Sequence, residues 1–288
     1  MELDELIREI EKMEMLSRQV SHQKLAGLFN SSFKGRGVSL DAIRRYEPGD
    51  DVRDINWNVT ARFQETYINT FTEDKERLIW ILLDTSGSGK FSTSGKSKFE
   101  IAVLLAATLA YSAVDNNDRV GVICFNGKVQ QVIQPARGML HFWRVAKELV
   151  SLKPQGRSAG LNEALEFLMK INNKSSLVFL LSDFMETDYA PSARILAQQH
   201  QLAAIRIYDE KEKHLPTLGW VNLLDSETGK AKWVNTFSGK FKKEYQAQFE
   251  KVEAYFEQAF ASGTVNKLNL SSRDNYQEKL FSFLYSHA

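Results

Sequence analysis

Asp84-Thr85-Ser86-Gly87-Ser88 places one carboxylate and two hydroxyls at alternate positions, directly after the apolar run LIWILLD that ends in Asp84. Hard oxygen donors in such a loop suit Mg²⁺ or Mn²⁺, which keep several waters and use few carboxylates. Asp183, in LLSDF after a second apolar run, is another carboxylate that can hold such an ion directly or through water. The plainer alternative is that Asp84 and Ser86 only cap the turn and the helix after it. A D-x-S-x-S spacing is short enough to leave both open.

The same loop carries a competing pattern. Gly89 to Ser97 (GKFSTSGKS) resembles a phosphate-binding loop between strand and helix, with LVFLLSD as an accompanying acidic strand. Five residues separate its glycines. The Walker pattern has four, and that spacing sets which backbone N–H groups face the phosphates. A nucleotide-binding enzyme using Gly89–Ser97 is therefore the alternative reading. A phosphatase with Asp84 as nucleophile would want a general acid two residues on, where Ser86 stands and serves poorly.

Other chemistry-bearing residues have bland explanations. The block Arg44 to Arg62 (RRYEPGDDVRDINWNVTAR) reads as an ion-pair and turn network or as a partner-binding surface. Interleaved acids argue against a nucleic-acid groove. Gly35-Arg36-Gly37 lacks the third glycine of a dinucleotide fingerprint. Cys124, in VGVICF, reads as core. His22, His141, His200, His214 and His287 have no metal-ligand spacing.

The elements that must position Asp84 and Asp183 follow from apolar periodicity. LIWILLD, RVGVICF, VQQVI, SLVFLLSD, LAAIRIYD and VNKLNL read as strands. They alternate with helices near Phe99–Val114 and in HFWRVAKELV, LNEALEFLMK and ARILAQQH, and a final helix is expected over Asn275–Tyr285. Continuous apolar strands alternating with helices predict α/β architecture: a doubly wound, mostly parallel sheet with helices on both faces. Both aspartates then sit at the carboxyl edge, where open α/β sheets bind ligands. Around the SETGK turn a hairpin is expected near 218–235, followed by a long amphipathic helix from Phe241 to Phe260. Leu3, Leu6, Ile7, Ile10 and Met13 predict an N-terminal helix, and ETYINTF a strand. The expected division is 1–75, an N-terminal helix with an Arg/Asp-rich β-containing segment, and 76–288, the main α/β domain.

With 288 residues, 43% hydrophobic and 25% charged, the chain is long enough for a sizeable core, and disordered or disulfide-scaffold classes are excluded. Thirty-seven basic and 36 acidic residues give a net charge of +1, so bulk electrostatics point to no nucleic acid. One cysteine forms no intrachain disulfide. The opening MELDELIREIEKMEM lacks the apolar core of a signal peptide, and no run approaches the roughly 18 residues of a membrane span. A soluble, cytoplasmic protein is expected.

The DTSGS loop with SDF at a later strand end resembles the von Willebrand factor A fold and its metal-ion-dependent adhesion site. The longer pattern Arg45-Tyr46-x-Pro48-Gly49-Asp50-Asp51-x-Arg53-x-Ile55-x-Trp57, with Ala61-Arg62 after it, resembles the signature of bacterial domain-of-unknown-function family 58. The likeness continues through DRVGVICF, LNEAL, LSDF and LPTLGWVNLLDSETGK, from about Gly35 onward. It implies a von Willebrand A-like domain that acts as a non-enzymatic adaptor or co-chaperone beside a MoxR-type AAA+ ATPase, for a client the sequence does not identify. It assigns Asp84, Ser86 and Ser88 to the first metal loop and Asp183 to the third. A metal there has an open position for a partner's Glu or Asp. In the second loop Ala159 stands where a threonine is expected. Either Ser158, one residue away, substitutes through a loop shift, or water fills the position. A scaffold with a degenerate metal site is the corresponding alternative. Asn56 stands where family members often carry Asp.

Overall fold

The structure, a computed structural model, describes residues 3–9, 11, 39–48, 50–63, 65–72, 77–90, 95–155, 160–213, 217–224, 231–261 and 265–286. The Gly35–Gly37 pattern, the middle of the Gly89–Ser97 loop, Ser158 with Ala159, and the SETGK turn lie outside the described residues. The chain forms two units: Ser31–Arg77, and Met1–Asn30 together with Leu78–Ala288. The described N-terminal helix, α1, covers residues 3–9.

In the smaller unit, β1 (Ser39–Arg45) pairs antiparallel with β2 (Tyr67–Thr72), Arg45 opposite Tyr67, with a bulge between Leu40 and Ala42. A 3₁₀ turn (Val52–Asp54) and α2 (Trp57–Phe63) lie between them in sequence. The Arg/Asp block ties its own turns together. Arg44 grips Asp50 with a two-point fork (2.9 and 2.6 Å), and the Glu47 N–H donates to the same carboxylate at 2.8 Å. Asn56 caps α2 by accepting from the Val59 N–H at 3.1 Å. Sequence periodicity anticipated β2 but neither β1, whose alternation the bulge breaks, nor the short α2.

The larger unit is built on a six-stranded sheet in the order β10-β7-β6-β3-β4-β5. Its strands are β3 (Leu78–Asp84), β4 (Arg119–Phe125), β5 (Val129–Ala136), β6 (Leu177–Ser182), β7 (Gln201–Tyr208) and β10 (Val265–Ser271). All pairings are parallel except that of β5 with β4. The central strands read as unbroken apolar runs because both faces are covered. Ile79, Ile81 and Leu83 face a core with α3 (Lys98–Asp115), α4 (Met139–Ser151) and α9 (Tyr276–Ser286), which Leu6 of α1 joins. Trp80 and Leu82 face a second core with α5 (Leu161–Ile171), α6 (Ala190–Gln199) and the end of α8 (Gly239–Ala259). A short helix, α7 (Glu210–Lys213), follows β7, and a hairpin of β8 (Trp220–Leu224) and β9 (Ala231–Asn235) precedes α8. The mostly parallel α/β sheet covered on both faces is the architecture expected from the sequence.

Topology makes a crevice. From β3 the chain crosses through α3 to β4 on one side; from β6 it crosses through α6 to β7 on the other. The carboxyl ends of β3 and β6 therefore flank the switch point at which open α/β sheets take ligands. Among the described residues no helix is long and apolar enough to cross a membrane.

Candidate functional site

Asp84 ends β3 and Asp183 follows β6, neighbouring parallel strands with Leu83 opposite Leu181. Both carboxylates are buried. The Asp84 carboxylate accepts from the Ser182 hydroxyl at 2.7 Å and from the Ser86 N–H at 2.8 Å. The Ser86 and Ser88 hydroxyl oxygens lie 2.9 Å apart. The Thr85 N–H and hydroxyl both bind the Phe125 carbonyl, at 2.8 and 3.0 Å, which pins the loop to the end of β4. The structure thus brings together four of the five residues singled out from the sequence: Asp84, Ser86, Ser88 and Asp183. The fifth, Ser158, lies outside the described residues.

Residues on either side of 156–159 are held by specific bonds. The Gln155 N–H donates to the Thr85 carbonyl at 2.9 Å. Glu186, just beyond β6, accepts from the N–H groups of Gly160 and Leu161 at 3.0 and 3.1 Å, where α5 begins. Gly160 has φ +68°, and a Cβ there would stand 2.6 Å from the Gly127 backbone.

The two aspartates differ in their company. Lys98, the first residue of α3, is buried and sends its ammonium to Asp183 at 2.9 Å and to Glu212 of α7 at 2.7 Å. Burial alone would raise the Asp183 carboxyl. The Lys98 ammonium, its hydrogen bond and a hydrogen bond from Ser88 outweigh that and hold it below the ordinary range. Burial likewise opposes the Lys98 charge, but Asp183 and Glu212 more than restore it, so its affinity for the proton is raised. Among the described residues no ion pair reaches Asp84. Burial, then repulsion from Asp183, push its carboxyl up to about 7.

These residues can be tested against a divalent ion. Neighbouring ligands of an octahedral Mg²⁺ at about 2.1 Å are about 3 Å apart, close to the Ser86–Ser88 spacing. A cavity of about 20 Å³ is lined by Asp84, Ser86, Ser88, Lys98 and Asp183 among others, room for one ion or water. Among the described residues no three His, Cys, Asp or Glu side chains gather as a metal cluster. A site here would be of the type with one or two carboxylates, hydroxyls and water. Asp84, Ser86 and Ser88 fit that donor set; Asp183 is engaged by Lys98.

Sequence reading missed Lys98, Ser182, Glu186 and Glu212. For Lys98 one signal existed: a cation on the first turn of an otherwise apolar helix, the end that disfavours it. Lys96, the lysine of the phosphate-loop pattern, pairs with Glu9 at 3.3 Å and lies over the Tyr276 ring. His141 and His200 bond within the fold, to the Val120 carbonyl and to Ser176. Cys124 is buried in β4.

Residues 42–255 match the family described as "Protein of unknown function DUF58". An uncharacterized protein of Mycobacterium tuberculosis and another of Mycobacterium bovis are each 28% identical over 214 residues, covering 72% of this chain and 68% of their own. Among solved structures, the conserved hypothetical protein BatB from Bacteroides thetaiotaomicron is similar with 14% identity and a TM-score of 0.44, over 73% of this chain and 98% of that one. The SpRpn10 VWA domain is similar with 13% identity and a TM-score of 0.42, over 72% and 95%. The family match spans well over half of the sequence, its signature block and both aspartate loops included, and the chain belongs to the DUF58 family.

Proposed function

We propose that this protein is a non-enzymatic adaptor or co-chaperone. Asp84, Ser86 and Ser88 hold Mg²⁺ or Mn²⁺, and the ion keeps an open position for a Glu or Asp of a protein partner. The partner proposed is a MoxR-type AAA+ ATPase, acting on a client, in the cytoplasm. The observation that carries the reading is the pair of hydroxyls 2.9 Å apart beside a buried Asp84 that no described basic side chain neutralises. A divalent ion supplies the missing charge, and its coordination geometry matches the hydroxyl spacing. Trp220, Trp233 and Phe237, large exposed aromatics on and just after the β8–β9 hairpin, suit contact with a protein partner.

Calorimetry with Mg²⁺, Mn²⁺ and Mg–ATP on wild type, Asp84→Ala and Lys96→Ala tests the reading. It expects metal binding lost in Asp84→Ala and kept in Lys96→Ala. It also expects capture of a purified MoxR-type ATPase in Mg²⁺ that is lost in EDTA. ATP binding lost in Lys96→Ala would overturn it in favour of a nucleotide enzyme. A scaffold with a degenerate metal site is the second reading, favoured by the commitment of Asp183 to Lys98. It expects Asp84→Ala to leave ATPase capture unchanged.

A further inference from the structure

Lys98 has the wrong charge for its place. A helix N-terminus favours anions, yet this lysine opens the 18-residue α3 and is 2% exposed. The helix does not need it as a cap. Ser97 accepts from the Glu100 N–H and Glu100 reaches back to the Ser97 N–H, a complete capping box. Burying an ammonium is costly unless it is paired and hydrogen-bonded, and here two carboxylates from elsewhere in the chain meet it, Asp183 after β6 and Glu212 of α7. Asp183 also lines the same cavity as Ser88, whose hydroxyl lies 2.9 Å from that of Ser86. Lys98 thus stands between Asp183 and Glu212 at the cavity that Asp84, Ser86 and Ser88 also line. Three carboxylates and one ammonium leave two negative charges when all are ionised, the charge of one divalent ion.

We propose that Lys98 is a tethered cation that occupies Asp183 and sets the divalent-ion affinity of the neighbouring Asp84–Ser86–Ser88 cluster. An ion at that cluster gains Asp183 only when the ammonium leaves it for Glu212, its other partner. The site is therefore tuned to weak metal binding, and an added carboxylate from a partner tips the balance. This regulation rests on the reading of Asp84, Ser86 and Ser88 as a cation site.

The experiment is Mn²⁺ titration by calorimetry of the full chain as wild type, Lys98→Met, Asp183→Asn and Lys98→Met/Asp183→Asn. Lys98→Met is expected to bind Mn²⁺ at least about tenfold more tightly, since Asp183 is freed to join the Asp84–Ser86–Ser88 cluster as a second carboxylate. Asp183→Asn is expected to change wild-type affinity less than about threefold, and to erase the gain in the Lys98→Met background. If Lys98→Met does not fold, Lys98→Met/Glu212→Gln restores the charge count and is expected to give the same gain. Affinity in the folded Lys98 variant no higher than wild type overturns the proposal, as does loss of wild-type binding in Asp183→Asn. The metal-site reading fails separately. If Asp84→Ala binds Mn²⁺ as wild type does, the ion lies elsewhere. Tight binding in Lys98→Met that depends on Asp183, with none in wild type, removes the resident-metal reading and upholds the role of Lys98.

Discussion

Asp84 and Asp183 are the same residue type at the ends of neighbouring strands, yet their surroundings push them apart. One has a buried ammonium 2.9 Å away; the other, among the described residues, has hydroxyl and amide donors. Removing one member of a buried ion pair typically costs about 3–5 kcal/mol. Lys98→Met is therefore expected to lose about that much stability by urea denaturation in EDTA. Arg53, whose pair with Asp51 at 3.7 Å is exposed, should lose less than about 0.5 kcal/mol on change to alanine. A second residue-scale outcome concerns Cys124. Burial, with a smaller contribution from Glu148, pushes its thiol up to about 12. The native protein should resist a thiol reagent, and the same reagent should label it fully once the chain is unfolded.

At the scale of elements, the loops that carry the site are held by specific backbone bonds. Gly160 is left-handed and lies against Gly127, so Gly160→Ala should cost more than about 1 kcal/mol, from backbone strain and steric conflict together. Urea denaturation checks it, and a neutral result would mean that the Gly127 turn yields. Element type was legible in the sequence wherever apolar content was dense. The buried runs of β3, β4, β6 and β7 announced a sheet covered on both faces. The DTSGS loop was legible because its donors lie within five residues. Less legible was anything assembled across the chain. Lys98, Asp183 and Glu212 come from three distant parts of the chain, and a lysine on a helix ordinarily reads as solvated. The helix of residues 3–9 advertises an apolar face, but nothing in its sequence says that Leu6 joins the core beside α3. Strand β1 was hidden by its bulge, and α2 by its length of seven residues.

For the whole molecule, stability should depend on pH through His200. It is buried, its Nδ1 sits 2.9 Å from the Ser176 hydroxyl, and burial lowers its affinity for a proton below the ordinary 6.5. The folded state disfavours the charged ring. Stability from this residue is therefore full above pH 6.5 and is lost as pH falls through the lowered native value. Denaturation midpoints on either side of pH 6.5 should differ more in wild type than in His200→Gln. Also at this scale, Trp220→Ala with Trp233→Ala should weaken ATPase capture while moving the thermal midpoint little, because both rings are exposed. A large fall in the midpoint would instead make the pair structural.

The crevice between β3 and β6 has a temporal meaning as well. The Ser182–Asp84 hydrogen bond joins residues 98 apart in sequence, and the Lys98–Glu212 bond joins residues 114 apart. Contacts of such span form slowly, because the intervening chain must be ordered first. A nascent chain that has not yet made β6 contains every residue of the DTSGS loop but neither Ser182 nor Asp183. The crevice is thus complete only once β6 has paired with β3, and a partner of the kind proposed would meet it on finished molecules alone.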